Sequence, residues 1–282
     1  GGENWDLVNS IYVNSDTELI STGSFDISSK SNNARLNESH GNSDAIVEKR
    51  TMASSVSSWL KQLGGVDNRL RSLSESGKKV IEKDGAIYLT GLFQKQIKFN
   101  ENFINAHGKA DVFISKMSAA TGDIEWLRSL GGISQDEVSD MIVDESGNIY
   151  LAGTFQHTLF IEDQTISSEN GKDVFCIKYN SDGILKWIKT FSGSDNVNTS
   201  TLKLFDDKLY LIGDFKSDIR VGTKTYETKG INDIYFISMT LLGDIESFMS
   251  YGIENATLKN ASATIDNNEL YFIGSIQGTN QA

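Results

Sequence analysis

Four aspartates, Asp44, Asp111, Asp173 and Asp233, each open a short apolar run, and a ring of such carboxylates could supply general acids, bases or nucleophiles. Glycoside cleavage, for example, needs two carboxyl groups at a fixed separation. A site used once per protein would not be copied into every unit, however, and each of these residues follows a Gly-containing bend. Hydrogen bonding to the N–H groups of that bend is the simpler role. A second set, Asp84, Asp144, Asp182 and Asp206, sits in turns. Calcium would require six to eight converging oxygens, and no alternating Asp/Asn loop closed by Glu is present. Asp-x-x-Gly and Asp-Gly fit tight hairpin turns instead.

The remaining reactive side chains are few. His40 and His107 occupy matching places in His-Gly-x-x-Asp, where later units carry Asn170 and Lys229, so the position accepts any polar group. His157 has no counterpart in that motif. Cys176 aligns with Val47, Ile114 and Phe236 and reads as a buried small hydrophobe. Trp59, Trp126 and Trp187, one per unit, read as packing wedges. No Walker loop, zinc-helix motif or Gly-x-Ser-x-Gly elbow occurs; Gly77-Lys78-Lys79 lacks the upstream glycine of a phosphate cradle. The expectation is therefore no catalytic residue, no metal, no cofactor and no enzymatic activity.

A net charge of −12 argues against a phosphate-binding surface, because nucleic-acid affinity depends on Lys and Arg displacing counterions. A single cysteine excludes an internal disulfide. No stretch approaches the ~20 apolar residues of a membrane helix, so no membrane insertion by this segment is expected. The chain begins Gly1-Gly2-Glu3-Asn4 with neither a basic region nor an apolar one of a signal peptide.

The elements that position these residues emerge when the chain is laid against itself. Asn148-Ile149-Tyr150-Leu151-Ala152-Gly153-Thr154-Phe155 recurs as Ala86 to Phe93 and as Lys208 to Phe215, with fainter copies at Glu18 to Phe25 and Glu269 to Ile276. The glycines fall at Gly23, Gly91, Gly153, Gly213 and Gly274, in steps of 68, 62, 60 and 61 residues. The strand-opening aspartates keep the same beat. So do bulky aromatics 14 or 15 residues further on, at Trp59, Trp126, Trp187 and Phe248. Within each unit, apolar runs of four to eight residues alternate with Gly, Asn, Asp and Ser clusters, which reads as strands and turns. Four antiparallel strands, A to D, in a repeat of about 60 residues is the arithmetic of a β-propeller blade.

The repeat can be written as Gly-Gly, Asp, strand A, Asp-x-x-Gly-Asn, Tyr-Leu-x-Gly-x-Phe, a small hairpin, Gly-x-x-Asp, strand C ending in Lys, and Trp. It resembles the bacterial SBBP-type β-propeller repeat over essentially the whole chain, best in the third unit through Gly131-Gly132, Asp136, Asp144, Gly147-Asn148, Gly153, Asp173, Lys178 and Trp187. The fourth unit departs most, with Phe248 for Trp and Ser238 for Lys. The resemblance implies a secreted or cell-surface bacterial protein and brings no shared catalytic residue.

The expected architecture is all-β, one propeller domain over 1–282 with blades at about 1–65, 66–132, 133–193, 194–252 and a partial one at 253–282. Family members are seven-bladed, so the chain reads as a fragment or as a five-bladed ring with an incomplete last blade. The expected function is a non-catalytic protein- or glycan-binding scaffold, with a structural spacer or a carbohydrate-active enzyme as alternatives. D-to-A loops and B-to-C hairpins leave the same end of a blade, and loops on a rigid scaffold carry function. Asp67, Asn68, Arg69, Arg71, Gln135, Asp136, Asp195 and Asn196 are the expected binding residues on that rim.

Overall fold

The computed structural model describes residues 7–14, 17–26, 43–52, 57–64, 75–266 and 269–278, and among them there is no α-helix. The first sheet runs β1 (Leu7–Asn14), β2 (Glu18–Asp26), β3 (Ser43–Thr51) and β4 (Ser57–Leu63), adjacent in chain order. The second takes β5 (Ser76–Lys83) and β6 (Ala86–Phe93), then a separate hairpin of β7 (Gln96–Phe99) and β8 (Asn102–Asn105), then β9 (Asp111–Ser118) and β10 (Ile124–Leu130). The third is β11 (Glu137–Val143), β12 (Ile149–Ile161), β13 (Gln164–Tyr179) and β14 (Leu185–Phe191), its hairpin continuous with the long middle strands. The fourth is β15 (Val197–Phe205), β16 (Lys208–Phe215), a hairpin of β17 (Asp218–Val221) and β18 (Lys224–Glu227), then β19 (Asp233–Thr240) and β20 (Ile245–Tyr251). A two-stranded sheet of β21 (Ala256–Asp266) and β22 (Glu269–Gly278) follows.

The chain groups into two compact units, Gly1–Val138 with Phe160–Gln164, and Ser139–Leu159 with Thr165–Ala282. In the first, Ala45, Val47, Trp59 and Leu63 of sheet one pack on Val80, Leu89, Phe113 and Met117 of sheet two. In the second, Val174, Cys176 and Phe191 of sheet three meet Leu211, Tyr235 and Ile237 of sheet four. Sheet four in turn lays Ile212, Ile234 and Phe236 on Leu258, Ala261 and Ala263 of β21. Within each unit, then, successive sheets stack face to face in chain order, as propeller blades do. Each fully buried aliphatic or aromatic side chain contributes roughly 1.5–3 kcal/mol, and strands B and C, covered on both faces, are apolar nearly throughout.

The recurring glycine has a geometric cause. The first strand of sheets one, two and four and of the last hairpin carries a bulge, between Val8 and Ser10, Gly77 and Lys79, Thr199 and Thr201, and Lys259 and Ser262. The bulge drives a carbonyl toward the second strand. A Cβ at Gly23 would lie 1.8 Å from Leu7 O, at Gly91 2.2 Å from Ser76 O, and at Gly213 1.9 Å from Asn198 O. The corresponding gap at Gly274 is 3.4 Å, so the last copy is looser. Gly153 is buried midway along β12.

The recurring aspartates fold back on their bends. Asp111 Oδ2 accepts His107 N–H at 2.9 Å, and Asp233 accepts Lys229 N–H at 2.8 Å and Gly230 N–H at 2.9 Å. Asp44 accepts from the Gln62 amide, and Asp173 is likewise buried. Each carboxylate of Asp44, Asp111 and Asp233 lies under a glycine ending its own sheet: a Cβ at Gly64, Gly131 or Gly252 would come within 2.5, 2.3 and 2.0 Å of it. In the turn of sheet three, Asp144 Oδ1 takes the N–H groups of Ser146 (2.9 Å) and Asn148 (2.8 Å), and Gly147 has φ 74°. That is a turn, not an ion site.

The aromatic wedge is half of a two-donor clamp. Trp59 Nε1 (3.1 Å) and Lys49 Nζ (3.2 Å) both donate to Ala119 O, in the turn joining the last two strands of sheet two. Trp187 Nε1 and Lys178 Nζ, each at 3.2 Å, do the same to Leu241 O of sheet four. Trp126 pairs with Lys116 in the same register. Phe248 was expected to continue this series and does not. Ser238 pairs with Ser247, so Ser247 holds the tryptophan register, while Phe248 pairs with Ile237 and turns to the opposite face, stacked 4.1 Å from Tyr226. The register shift between Ser238 and Met239 has counterparts in the first three sheets, so the slip is one of spacing: Ser247 stands where Trp187 does relative to its strand-C partner, and Phe248 lies one residue beyond.

Candidate functional site

The loop that leaves the last strand of one sheet is pinned to the hairpin of the next. In the first unit Lys98 N–H donates to Gly64 O at 3.2 Å, and Gly131 and Phe160 exchange backbone hydrogen bonds of 3.1 and 2.8 Å. In the second unit Arg220 N–H donates to Ser192 O at 2.7 Å. Within each unit these loops and hairpins therefore form one edge with fixed bases and variable side chains.

On the second unit's edge, Asp195 accepts from Lys216 Nζ at 2.7 Å, which holds its carboxyl below the usual range. Asn196 Oδ1 accepts Lys172 N–H at 2.9 Å, and its carbonyl accepts Lys216 N–H at 3.1 Å. Ser194 is tied to Asp218 through both its N–H and its hydroxyl. The expected residues Asp195 and Asn196 are thus adjacent and braced from two directions.

On the first unit's edge, Gln135 is exposed and its backbone bridges Ala110 in parallel. Asp136 does not face solvent. It is fully buried, and its Oδ2 accepts Gly132 N–H at 2.6 Å, so an expected recognition residue is a buried loop brace. Asp67, Asn68, Arg69 and Arg71 lie outside the described residues, as does His40.

Sequence reasoning gave His107 no role, yet its imidazole has organised surroundings. Its Nδ1 lies 3.0 Å from Asp111 Oδ2, and its ring sits 4.9 Å from that of Phe160. Burial raises the Asp111 carboxyl above its ordinary value, and hydrogen bonds from His107 oppose the rise. A carboxylate beside Nδ1 orients an imidazole ring, which lets it meet a polar ligand at low entropic cost. The spacing His-x-x-x-Asp was visible; the tilted ring contact with a residue 53 positions later was not. Among the described residues no group of three or more His, Cys, Asp or Glu is placed to hold a metal ion. Cys176 is fully buried and its thiol is pushed up to about 12 by that burial, which makes it inert as a nucleophile at neutral pH.

No helix among the described residues is long and apolar enough to cross a membrane. No family model matches the chain, and no curated protein does. The SBBP resemblance thus rests on the repeat residues alone. Solved structures do match. A Trypanosoma rangeli sialidase in complex with sialic acid is 11% identical, over 98% of this chain and 52% of its own, with a TM-score of 0.39. A mutant Cellvibrio cellulosa α-L-arabinanase is 12% identical over 96% of this chain and 87% of its own, at 0.35. BamB from Moraxella catarrhalis is 11% identical over 95% and 82%, at 0.29. The chain spans about half the length of the sialidase. Two of these three structures are of enzymes, so the expectation that this chain is not an enzyme is withdrawn. What the chain shares with all three is an all-β build of antiparallel sheets.

Proposed function

We propose that this chain is a binding module of a secreted or cell-surface bacterial protein, holding a protein or glycan partner on the loop-and-hairpin edge of one of its two units. In this reading its sheets are blades of one β-propeller domain, with blades near 1–65, 66–132, 133–193, 194–252 and part of another at 253–282. The supporting observation is the pinning of loop to hairpin, repeated at Gly64 with Lys98, Gly131 with Phe160 and Ser192 with Arg220. A loop whose base is fixed loses little entropy on binding, so its side chains can vary without loss of shape. The groups there are mixed in chemistry: an exposed amide at Gln135 and a held imidazole at His107 on the first unit, and on the second the exposed Lys216 paired with half-buried Asp195. Polar, hydrogen-bonding surfaces of this kind suit glycans and polar protein faces better than an apolar ligand.

The test is a glycan array run beside a pull-down from the cognate cell envelope. Any captured partner should lose at least ~10-fold in affinity to Lys216→Ala or His107→Ala while the melting temperature holds within a few degrees, since exposed polar substitutions rarely unfold a domain. A partner bound equally well by both variants removes the edge as the binding surface.

A further inference from the structure

We propose that the outward face of the β7–β8 hairpin is a subsite for an acidic sugar, a uronate residue of a glycan; this rests on reading the first unit's loop-and-hairpin edge as a binding surface, and it names the ligand. The hairpin turns Ile97 and Ile104 onto the core of that unit. Alternation along the two strands then gathers Gln96, Lys98, Phe103 and Asn105 on the opposite face, because Gln96 pairs with Asn105 and Lys98 with Phe103. Two amides, an ammonium and an aromatic ring share one small platform.

Its two central groups are uncommitted. Phe103 is 41% exposed, and Lys98 is exposed with no carboxylate paired to it among the described residues. Directly opposed residues on one face of an antiparallel pair have Cβ atoms about 5 Å apart. A pyranose ring laid on Phe103 therefore brings its carboxylate within reach of the lysine side chain beside it. The frame is already fixed: Gln96 Nε2 donates to Asn105 Oδ1 at 3.0 Å, Ala106 N–H to Lys95 O at 2.8 Å, and Lys98 N–H to Gly64 O at 3.2 Å. Little order has to be imposed on binding.

Charge and shape select the class of ligand. Residues 94–110 hold three lysines and one glutamate, in a chain of net charge −12. A nucleic acid, with a charge every ~1.7 Å of duplex, is repelled by the rest of such a chain, whereas a uronate glycan spaces its charges a sugar apart. A sugar ring also offers a flat face of partly positive C–H groups to the negative face of an aromatic ring, and hydroxyls to the flanking amides; an acidic peptide offers neither. The matching hairpin of the second unit lacks the combination. There Arg220 pairs with Thr225 instead of an aromatic, and Asp218 and Glu227 share its face.

The test titrates tetramers of galacturonate, guluronate and glucuronate into the intact chain by calorimetry, each beside its carboxyl-reduced form. At least one uronate tetramer should bind, and its reduced form at least tenfold more weakly. Lys98→Gln should weaken the acid form at least tenfold and leave the reduced form unchanged, since only the carboxylate meets the ammonium. Phe103→Ala should weaken both at least tenfold. Lys186→Gln, which removes the same charge from an exposed position on β14, should weaken neither. All three variants should melt within a few degrees of the parent, because the positions are exposed. The inference is overturned by absence of uronate binding, by equal binding of the reduced form, or by indifference to Lys98→Gln. Displacement of the uronate by polyglutamate or by a single-stranded oligonucleotide at equal concentration overturns it too. A partner held through His107 in any of these cases leaves the wider reading of the edge standing, so the two fail separately.

Discussion

Glu75 stands just before β5 with its N–H donated to Ser43 O at 2.9 Å, and it is buried with neither carboxylate oxygen hydrogen-bonded. The same backbone contact is made elsewhere by Asp136 to Ala110 and by Leu258 to Asn232, each at 3.0 Å. Asp136 satisfies an oxygen on Gly132 and Leu258 has none to satisfy. Burial, and then the neighbouring Asp44, raise Glu75 from 4.5 to about 8. The unfolded chain binds fewer protons than the folded one between those values, so stability is greatest below about 4.5, falls as pH rises through the window, and levels above about 8. The loss amounts to a few kcal/mol, at ~1.4 kcal/mol per unit of pKa. Urea midpoints at pH 5 and pH 8 should therefore differ for the native chain and converge for Glu75→Gln; an unchanged difference assigns the effect to Asp111 or Asp214, which burial also raises. Residue roles were legible where they recur. The strand-opening aspartates announced themselves four times, whereas Glu75 occurs once, in a polar stretch that reads as solvent-exposed, and only packing against Ser43 and Asp44 reveals it.

At the scale of elements, the strands of the four-stranded sheets were readable from their apolar runs and turn residues, because both periodicity and punctuation are local. The bulge opposite Gly23, Gly91, Gly213 and Gly274 was not, since it is a relation between two strands. The slip at Phe248 shows the same limit: a spacing of 14 or 15 residues admits both Ser247 and Phe248, and only the pairing of Ser238 with Ser247 decides between them. The clamp is also a property of paired elements, and its energetics are testable. In Trp187→Phe or Lys178→Met the Leu241 carbonyl keeps one donor, and each change should cost about 1 kcal/mol. The double variant leaves that carbonyl without either, adding a desolvation penalty of ~1–3 kcal/mol beyond the sum. A double-mutant cycle in urea reads this coupling directly; strict additivity would mean that the two donors act on separate acceptors.

For the molecule as a whole, stability should be uneven along the chain. Among the described residues β16 has a strand on each side, while β22 has one and exposes Ile273 and Ile276. Amides of Glu269–Gly278 should exchange at least ~10-fold faster than those of Lys208–Phe215, because local opening there breaks fewer buried contacts. Equal protection would show that the last hairpin is held by something other than β21. The repeat period made residues 253–282 recognisable as a further copy of strands A and B, yet it said nothing about how firmly that copy is held.

The clamp acceptor at Ala119 and Leu241 is a main-chain oxygen, which every amino acid carries. A neighbour need only place a turn at the right height, whatever its side chains, so duplication or loss of one whole unit within the gene leaves the joints on either side chemically intact. Copies can then diverge along their loops without matched substitutions in adjacent copies. A lineage of such proteins is free to change length in steps of about sixty codons.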